Sequence, residues 1–298
     1  MWKSAKPWFM FTKDRRRRNR SRNHLKPRTK NLWMAQHYFY ILLMYIHSYP
    51  PSSTMADHLF TSRFNCEAGT SVTSQKLYGE ILPLARLWAA NINHIKWNNR
   101  LQWDNHHPFF PFFHTVMWDS TPFFIQQARH WQTARMNNNG HYPGNCYLVL
   151  VGITFKGEIV YASELSRATS RDSALFMQSR ALHPQNSWEM NIGDSHFDVC
   201  PHFDTPPQRH GGRHLTVLES VYYNMIQLPR SRIETMNHVI KSHAMFKQTY
   251  RGYVENLSVF VKISMHAAAL VIRTNREHGS FRYQGFGWWS HENPPSHF

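Results

Sequence analysis

The chain has 298 residues, enough for one large domain with appendages or for two small domains with a substantial core. Its 34 lysines and arginines outnumber 18 acidic residues, which gives a formal charge of +16 and a sequence pI near 10.0. This excess favours a polyanionic partner, nucleic acid first. Cys66, Cys146 and Cys200 are far apart and lack any Cys-x2-Cys spacing, which argues against a disulfide framework and a cysteine zinc site.

The first 31 residues form a basic arm, and we expect it to be disordered until it meets an anion. Its charge is densest in four consecutive arginines, Arg15, Arg16, Arg17 and Arg18. We expect the arm to serve nuclear import or DNA contact, so the predicted location is the nucleus. No apolar run follows the basic start, and the longest apolar stretch, 38–46, is too short to span a bilayer. We therefore expect neither a secretory signal nor a membrane segment.

Residues 32–100 are predicted to form a helical N-terminal region. A helix over 32–46 ends at the Pro50-Pro51 breaker, and a second helix over 74–95 has apolar residues at helical spacing. The loop between them is long for a helix-turn-helix DNA reader, which needs a short turn. The sequence does not decide whether such a reader is present.

Residues 105–275 are predicted to form an α/β domain in which strands precede helices, followed by an irregular tail over 276–298. We expect a strand over 112–119, a hairpin turning at Gly157, and a helix over 170–181 capped by Ser170 or Asp172. A strand over 188–192 and a loop over 202–214 follow. The predicted C-terminal helices cover 216–225, continuing past Pro229 to 246, and then 253–273.

Three acids in this domain are candidates for one site. Asp119 and Asp194 follow predicted strands, and Glu234 is on a later helix between two cations in the spacing Arg230-x3-Glu234-x6-Lys241. Charges at such spacings lie on one helix face, and alone they more often form a solvated, salt-bridged surface. Two aspartates at strand ends and one glutamate on a helix are nevertheless a set that can converge on one point.

These motifs resemble the DDE-type transposases, in particular the Harbinger-type DDE superfamily endonucleases. Asp119-Ser120-Thr121 resembles the family's Asp-Gly-Thr motif, and the segment 193–197 matches its Gly-Asp-x-x-Tyr/Phe motif. The Arg230 to Lys241 spacing matches that of related bacterial transposases. The hairpin beginning at Tyr142 and the turn containing Asp172 also resemble the family, and the resemblance extends over about 109–273. Ser120, Trp118 and Gln227 depart from the family's usual residues.

The resemblance implies a ribonuclease-H-like mixed sheet flanked by helices and a nuclease that cuts DNA with Asp119, Asp194 and Glu234. Carboxylates are hard oxygen ligands, so these acids suit Mg2+ or Mn2+, with two ions expected. The cations expected to hold DNA phosphates are Arg230, Lys241, Lys247 and Arg251. The expected partner is DNA, with a separate DNA-binding protein and a homo-oligomer as further options.

Several alternatives stay open at this level. Asp172 is expected to cap a helix and Asp198 to lie on the surface, yet either carboxylate is a substitute for Asp194. The histidines around Cys200 lack standard zinc-ligand spacing. No Gly-x-Ser-x-Gly elbow indicates a serine hydrolase. A noncatalytic DNA-binding derivative of a transposase is the main rival, and a basic structural protein is a third reading.

Overall fold

The computed structural model describes residues 35–49, 77–102, 114–179, 189–207 and 214–278. The basic arm with its four arginines, the breaker at Pro50 and the chain beyond His278 lie outside these residues. The chain divides into two compact units, one formed by residues 1–93, 243–248 and 252–264, the other by 94–242, 249–251 and 265–298. The division between Asn93 and His94 falls within the predicted helical region 32–100.

The first unit is helical in its described part. Its helices are α1 (Ala35–Ser48), α2 (Leu82–Asn91), entered through a π-helical turn at Leu77–Ile81, and, from late in the chain, α6 (Ala244–Lys247) and the first half of α7 (Val254–His278). Aromatic rings join them. The Phe39 and Trp88 rings meet edge to face at 5.4 Å, and the Tyr45 and Phe260 rings at 5.7 Å. Both expected N-terminal helices are thus present with slightly different ends.

The second unit is built on a six-stranded mixed sheet. Its strands are β1 (His114–Phe124), β2 (Cys146–Ile153), β3 (Ile159–Ala162), β4 (Ser166–Arg167), β5 (Met190–Ile192) and β6 (Phe203–Asp204). The order is β3-β2-β1-β5-β6, with β4 pairing β2. Neighbours of β2 are antiparallel, whereas β1, β5 and β6 run parallel. With flanking helices, this is the mixed sheet of the expected ribonuclease-H-like fold.

Strand β1 is longer than the sequence suggested, and Asp119 lies in its middle, not at its end. The strand pairs with β2 along 117–124, but it pairs with β5 only as far as Met117. Beyond Met117 the β5 side of β1 has no strand neighbour among the described strands. This open edge tolerates Pro122, which cannot donate a backbone hydrogen bond on a paired side.

The helices of the second unit flank this sheet. They are α3 (Trp131–Met136), α4 (Asp172–Gln178) and α5 (Val217–Ile240), the last beginning with a capping box between Thr216 and Glu219. Helix α5 continues through Pro229 as predicted but ends at Ile240, so Lys241 is its C-cap. The predicted side-chain cap of α4 is wrong: Arg171 occupies the N-cap and makes no side-chain cap bond. Helix α7 extends to His278, three residues into the predicted tail.

Trp118 fits the core because a glycine lies opposite it. In the β1–β2 register Trp118 pairs with Gly152, and a Cβ built on Gly152 would lie 2.7 Å from the Trp118 ring. The indole is fully buried against Phe176 and donates a 2.9 Å hydrogen bond to Asn191 on β5. The bulky residue ahead of Asp119 therefore ties three elements together.

A buried ion pair holds the start of β5. Arg100 and Glu189 are 0% and 2% exposed, and the guanidinium meets the carboxylate through two bonds of 2.9 and 3.0 Å. Arg100 also stacks over the Trp97 ring at 4.3 Å. Because each charge satisfies the other, removing one partner would leave an uncompensated buried charge. The pair therefore fixes the strand that leads to Asp194.

By length and composition alone, helix α7 is long and apolar enough to cross a membrane. Over Val254–Thr274 its mean hydropathy is 1.4, and half of that window is buried inside the protein. Buried side chains along it include Leu257, Val261 and Met265, and Arg273 near its end donates to Glu158 at 2.9 Å. A core helix of a folded domain shows the same burial.

We predict that Gly193→Ala destabilises the protein by about 1–3 kcal/mol, the usual cost of overpacking. A Cβ on Gly193 would lie 2.5 Å from the Phe197 ring, which is fully buried and stacked on Phe203. Chemical denaturation measures the loss. Gly140→Ala is the matched control, because nothing lies within 4 Å of its Cβ. Equal stabilities of the two variants would contradict the packing argument.

Candidate active site

Strand register brings Asp119 and Asp194 together. Met117 and Ile192 are paired in the parallel β1–β5 ladder, and each aspartate lies two residues beyond its paired residue. Parallel strands run in the same direction, so both acids emerge side by side at the open edge of β1. Asp194 then caps a 3-10 turn at Ser195–Phe197 by accepting from the His196 amide at 2.8 Å. This hydrogen bond fixes the carboxylate of Asp194 just after the end of β5.

Asp119 is held by two donors. Its Oδ1 accepts from the Ser120 amide at 2.9 Å, and its Oδ2 accepts from Nδ2 of Asn237 on α5 at 2.7 Å. Burial raises the pKa of Asp119 to about 7, and the negative charges of Asp172 and Asp194 add to the rise. The Ser120 amide and Arg230 act in the opposite direction. Asp119 is therefore a carboxyl group whose ionisation the surrounding acids resist.

Asp172, expected from the sequence to be a helix cap or a substitute for Asp194, is the third acid beside Asp119. It lies in the first turn of α4, where it was expected to serve as a cap. Burial raises the pKa of Asp172, and the charge of Asp194 adds to this, whereas Ser120, His196 and His141 lower it. Asp172 and Asp194 thus act electrostatically on Asp119, and Asp194 acts on Asp172. We name these three residues the acid cluster.

Glu234 is not among the charges that shift the pKa values of the acid cluster. Its side chain is exposed on α5, and Asn237, less than one turn further along, is buried and makes the contact with Asp119. Among the residues that the structure describes, no three His, Cys, Asp or Glu side chains are arranged to hold a metal ion. The structure therefore brings Asp119 near Asp194 and leaves Glu234 in solvent.

The predicted phosphate-binding cations divide into two kinds. Arg230 lowers the pKa of Asp119, and Lys241 is electrostatically coupled to the same carboxyl. Burial lowers the pKa of Lys241 below its usual value, and Asp119 opposes that change. Lys247 and Arg251 are exposed. Arg230 and Lys241 thus act on the first acid, and the Glu234 side chain between them in sequence is exposed.

Two residues near the acid cluster have no role in the sequence analysis. Burial raises the pKa of the Tyr142 hydroxyl well above its usual value, and the charges of Asp172, Asp119 and Asp194 contribute. Asn237 lies three residues after Glu234, and residues at this spacing lie on the same side of a helix. The sequence therefore contained a signal that Asn237 lies on the same side of α5 as Glu234. Asn237 Oδ1 is buried without a hydrogen-bond partner in the structure. The amide is therefore only half satisfied.

Comparison with models of known protein families gives a match. A family model described as DDE superfamily endonuclease matches residues 118–271, just over half of the chain, from within β1 to beyond α5. Neither a curated protein nor a solved structure matches. The match does not distinguish a Harbinger subtype. It begins one residue before Asp119, and it agrees with the mixed sheet. The chain belongs to the DDE superfamily endonuclease family.

Proposed function

We propose that this protein is a metal-dependent DNA endonuclease of the transposase type. The observation that carries the proposal is the acid cluster at the open edge of β1, in a chain that belongs to an endonuclease family. The excess of 34 basic over 18 acidic residues suits a polyanionic substrate. The basic arm at Arg15–Arg18 is proposed to aid nuclear import.

The donor set of the acid cluster fits a hard divalent cation. Its donors are carboxylate oxygens, which Mg2+ and Mn2+ prefer. Burial raises the pKa of Asp119 and the charges of Asp172 and Asp194 add to the rise, so a bound cation would offset a cost that the site otherwise carries. Asp119 and Asp194 would hold the metal, with Glu234 as the family-implied third acid. When bound, two such ions activate a water or a 3′-hydroxyl and stabilise the departing oxygen in phosphodiester cleavage.

The protein's own groups would position the substrate. Arg230 and Lys241 supply positive charge beside Asp119, where a scissile phosphate would otherwise meet only carboxylates. Asn237 donates to Asp119 without adding charge, so it orients that carboxylate and leaves its negative charge intact. The Ser120 amide orients the other carboxylate oxygen in the same way.

A noncatalytic DNA-binding protein is the second candidate function. The observation in its favour is the exposed side chain of Glu234, with Asn237 in contact with Asp119. A protein that only binds DNA has no need of a complete ligand set. DNA binding without cleavage by the wild type, with Mg2+ or Mn2+ present, would support this candidate.

We predict that Asp194→Asn and Glu234→Gln each abolish nicking of supercoiled plasmid in Mg2+ or Mn2+ while a gel shift shows DNA binding retained. Loss of one carboxylate removes a metal ligand but no phosphate-binding cation. Asp198→Asn is the control, because this exposed acid lies four residues from Asp194. If Glu234→Gln still cuts and Asp172→Asn does not, Asp172 takes the place proposed for Glu234.

We predict that Asp119→Asn stabilises the metal-free protein at pH 8. The pKa of Asp119 is raised from 3.8 to about 7 on folding. Ionising it therefore weakens folding as the pH rises through this range, by at most about 4 kcal/mol above it. Below the unfolded pKa the carboxyl is neutral in both states and the cost vanishes. The variant's amide can bond Asn237 if that side chain turns over and presents its unpartnered Oδ1.

Thermal unfolding in EDTA, followed between pH 5 and pH 8, measures this effect. The gap in Tm between variant and wild type should widen with pH, and Mg2+ should then raise the Tm of the wild type more than that of the variant. Asp198→Asn should show neither change. A gap that stays constant with pH would contradict the assigned shift, and equal Mg2+ responses would remove Asp119 from the metal site.

A further inference from the structure

The connection between β1 and β2 is rich in amide side chains and contains no acid. We name residues 126–145 the basic loop. Two arginines, two histidines, three glutamines and four asparagines lie in it, and no acid occurs anywhere between Asp119 and Glu158. In a chain whose acids otherwise recur throughout the sheet domain, this stretch is complementary in charge to a phosphate backbone.

Its most exposed aromatic residue is Trp131, at the start of α3. The indole side chain is 64% exposed, and exposed arginines lie on both sides of it in sequence, Arg129 and Arg135. Tryptophan is a large apolar residue that usually covers its rings when nothing binds them. An exposed indole flanked in sequence by two cations can stack on a nucleobase while the cations bind the neighbouring phosphates.

The basic loop is fixed to the sheet at its far end. The Cys146 amide donates to the Asn137 carbonyl at 2.8 Å, and Asn139 Nδ2 donates to the Ala168 carbonyl at 2.8 Å. Asn137 is 1% exposed. These bonds hold the segment after α3 against β2 and the approach to α4, so the loop is organised before any ligand arrives, which limits the entropy lost on binding.

The same segment lies beside the acid cluster. His141 lowers the pKa of Asp172, and the Tyr142 ring meets the His141 ring at 5.1 Å. At the near end of the loop, the Gln126 amide donates to the Tyr250 carbonyl at 2.8 Å, which places the exposed Arg251 next to the loop. A strand lying across the basic loop would therefore reach the acids.

We propose that the basic loop binds an unpaired segment of DNA beside the acid cluster, with Trp131 stacked on one base and Arg129 and Arg135 on the flanking phosphates. An unpaired strand suits this surface better than a duplex, because base faces are stacked and inaccessible within a double helix. Helix α3 has six residues, which is short for a groove-reading helix. The proposal rests on the proposed function, since DNA is the ligand.

The test compares two fluorescent DNA probes with the same paired region, one blunt and one with a three-nucleotide single-stranded overhang. Fluorescence anisotropy titrations of the full chain give a Kd for each probe. They are run in Ca2+, so that they measure binding and not cleavage. We expect Trp131→Ala to weaken the overhang probe about tenfold, the scale of one stacked base, and to leave the blunt probe unchanged. Trp131→Phe should keep most of the affinity.

Tyr253→Ala is the matched control, since it removes another exposed aromatic ring, 77% exposed, from a different part of the chain. Its Kd values should equal those of the wild type. A 2-aminopurine placed as the first unpaired base should be quenched by the wild type and not by Trp131→Ala. Arg129→Ala and Arg135→Ala should each weaken binding of the overhang probe. Each should also reduce the slope of log K against log[salt] by about one.

The outcomes separate the proposed site for unpaired DNA from the proposed endonuclease function on which it rests. If the wild type binds both probes and Trp131→Ala weakens both equally or neither, the basic loop is not a site for unpaired DNA, while the endonuclease proposal stands. If the wild type binds neither probe, both proposals fail. A selective loss on the overhang probe, with thermal unfolding of Trp131→Ala unchanged, supports the stacked base.

Discussion

The short parallel ladder between β1 and β5 is the constraint on which the candidate site depends. Pairing stops at Met117 and Ile192, and an aspartate follows two residues later in each segment, within β1 and just after β5. Longer pairing would have closed the edge of β1 and left no room at Asp119. The ladder in turn depends on its flanks: Asn191 on β5 accepts from the Trp118 indole, and the buried Arg100–Glu189 pair fixes the residue before β5. Residues far from the acids thereby set the spacing between them.

Mutual repulsion explains why such an arrangement is uncommon in a structural protein. Burial and the charges of Asp172 and Asp194 raise the pKa of Asp119, and burial and the charge of Asp194 raise the pKa of Asp172. Ionising Asp119 and Asp172 therefore opposes folding at neutral pH unless a cation neutralises them. Arg230 and the Ser120 amide offset part of this for Asp119. The protein therefore retains an electrostatic cost at this edge, which is the behaviour expected of a site that binds a cation.

Much of the fold could be predicted from the sequence because its signals are local. Apolar spacing indicated α2, an apolar stretch before the Pro50 breaker indicated α1, Gly157 adopts the positive φ of 81° expected in its turn, and Thr216 caps the start of α5. The extension of β1 past Asp119 could not be predicted, since Pro122 is acceptable only where the neighbouring strand has ended. The place of Asp172 was also missed: a Ser-Arg-Asp-Ser segment before a helix reads as a cap, and only tertiary packing directs its carboxylate towards Asp194.

The facing pair of Trp118 and Gly152 also limits the order in which this chain can change. Any side chain at position 152 collides with the indole, so a larger residue there is tolerated only after position 118 has become smaller. Shrinking Trp118 first opens a void and leaves Asn191 without its donor. Each order of substitution passes through a destabilised single variant. The two positions are therefore expected to change together in descendants of this chain.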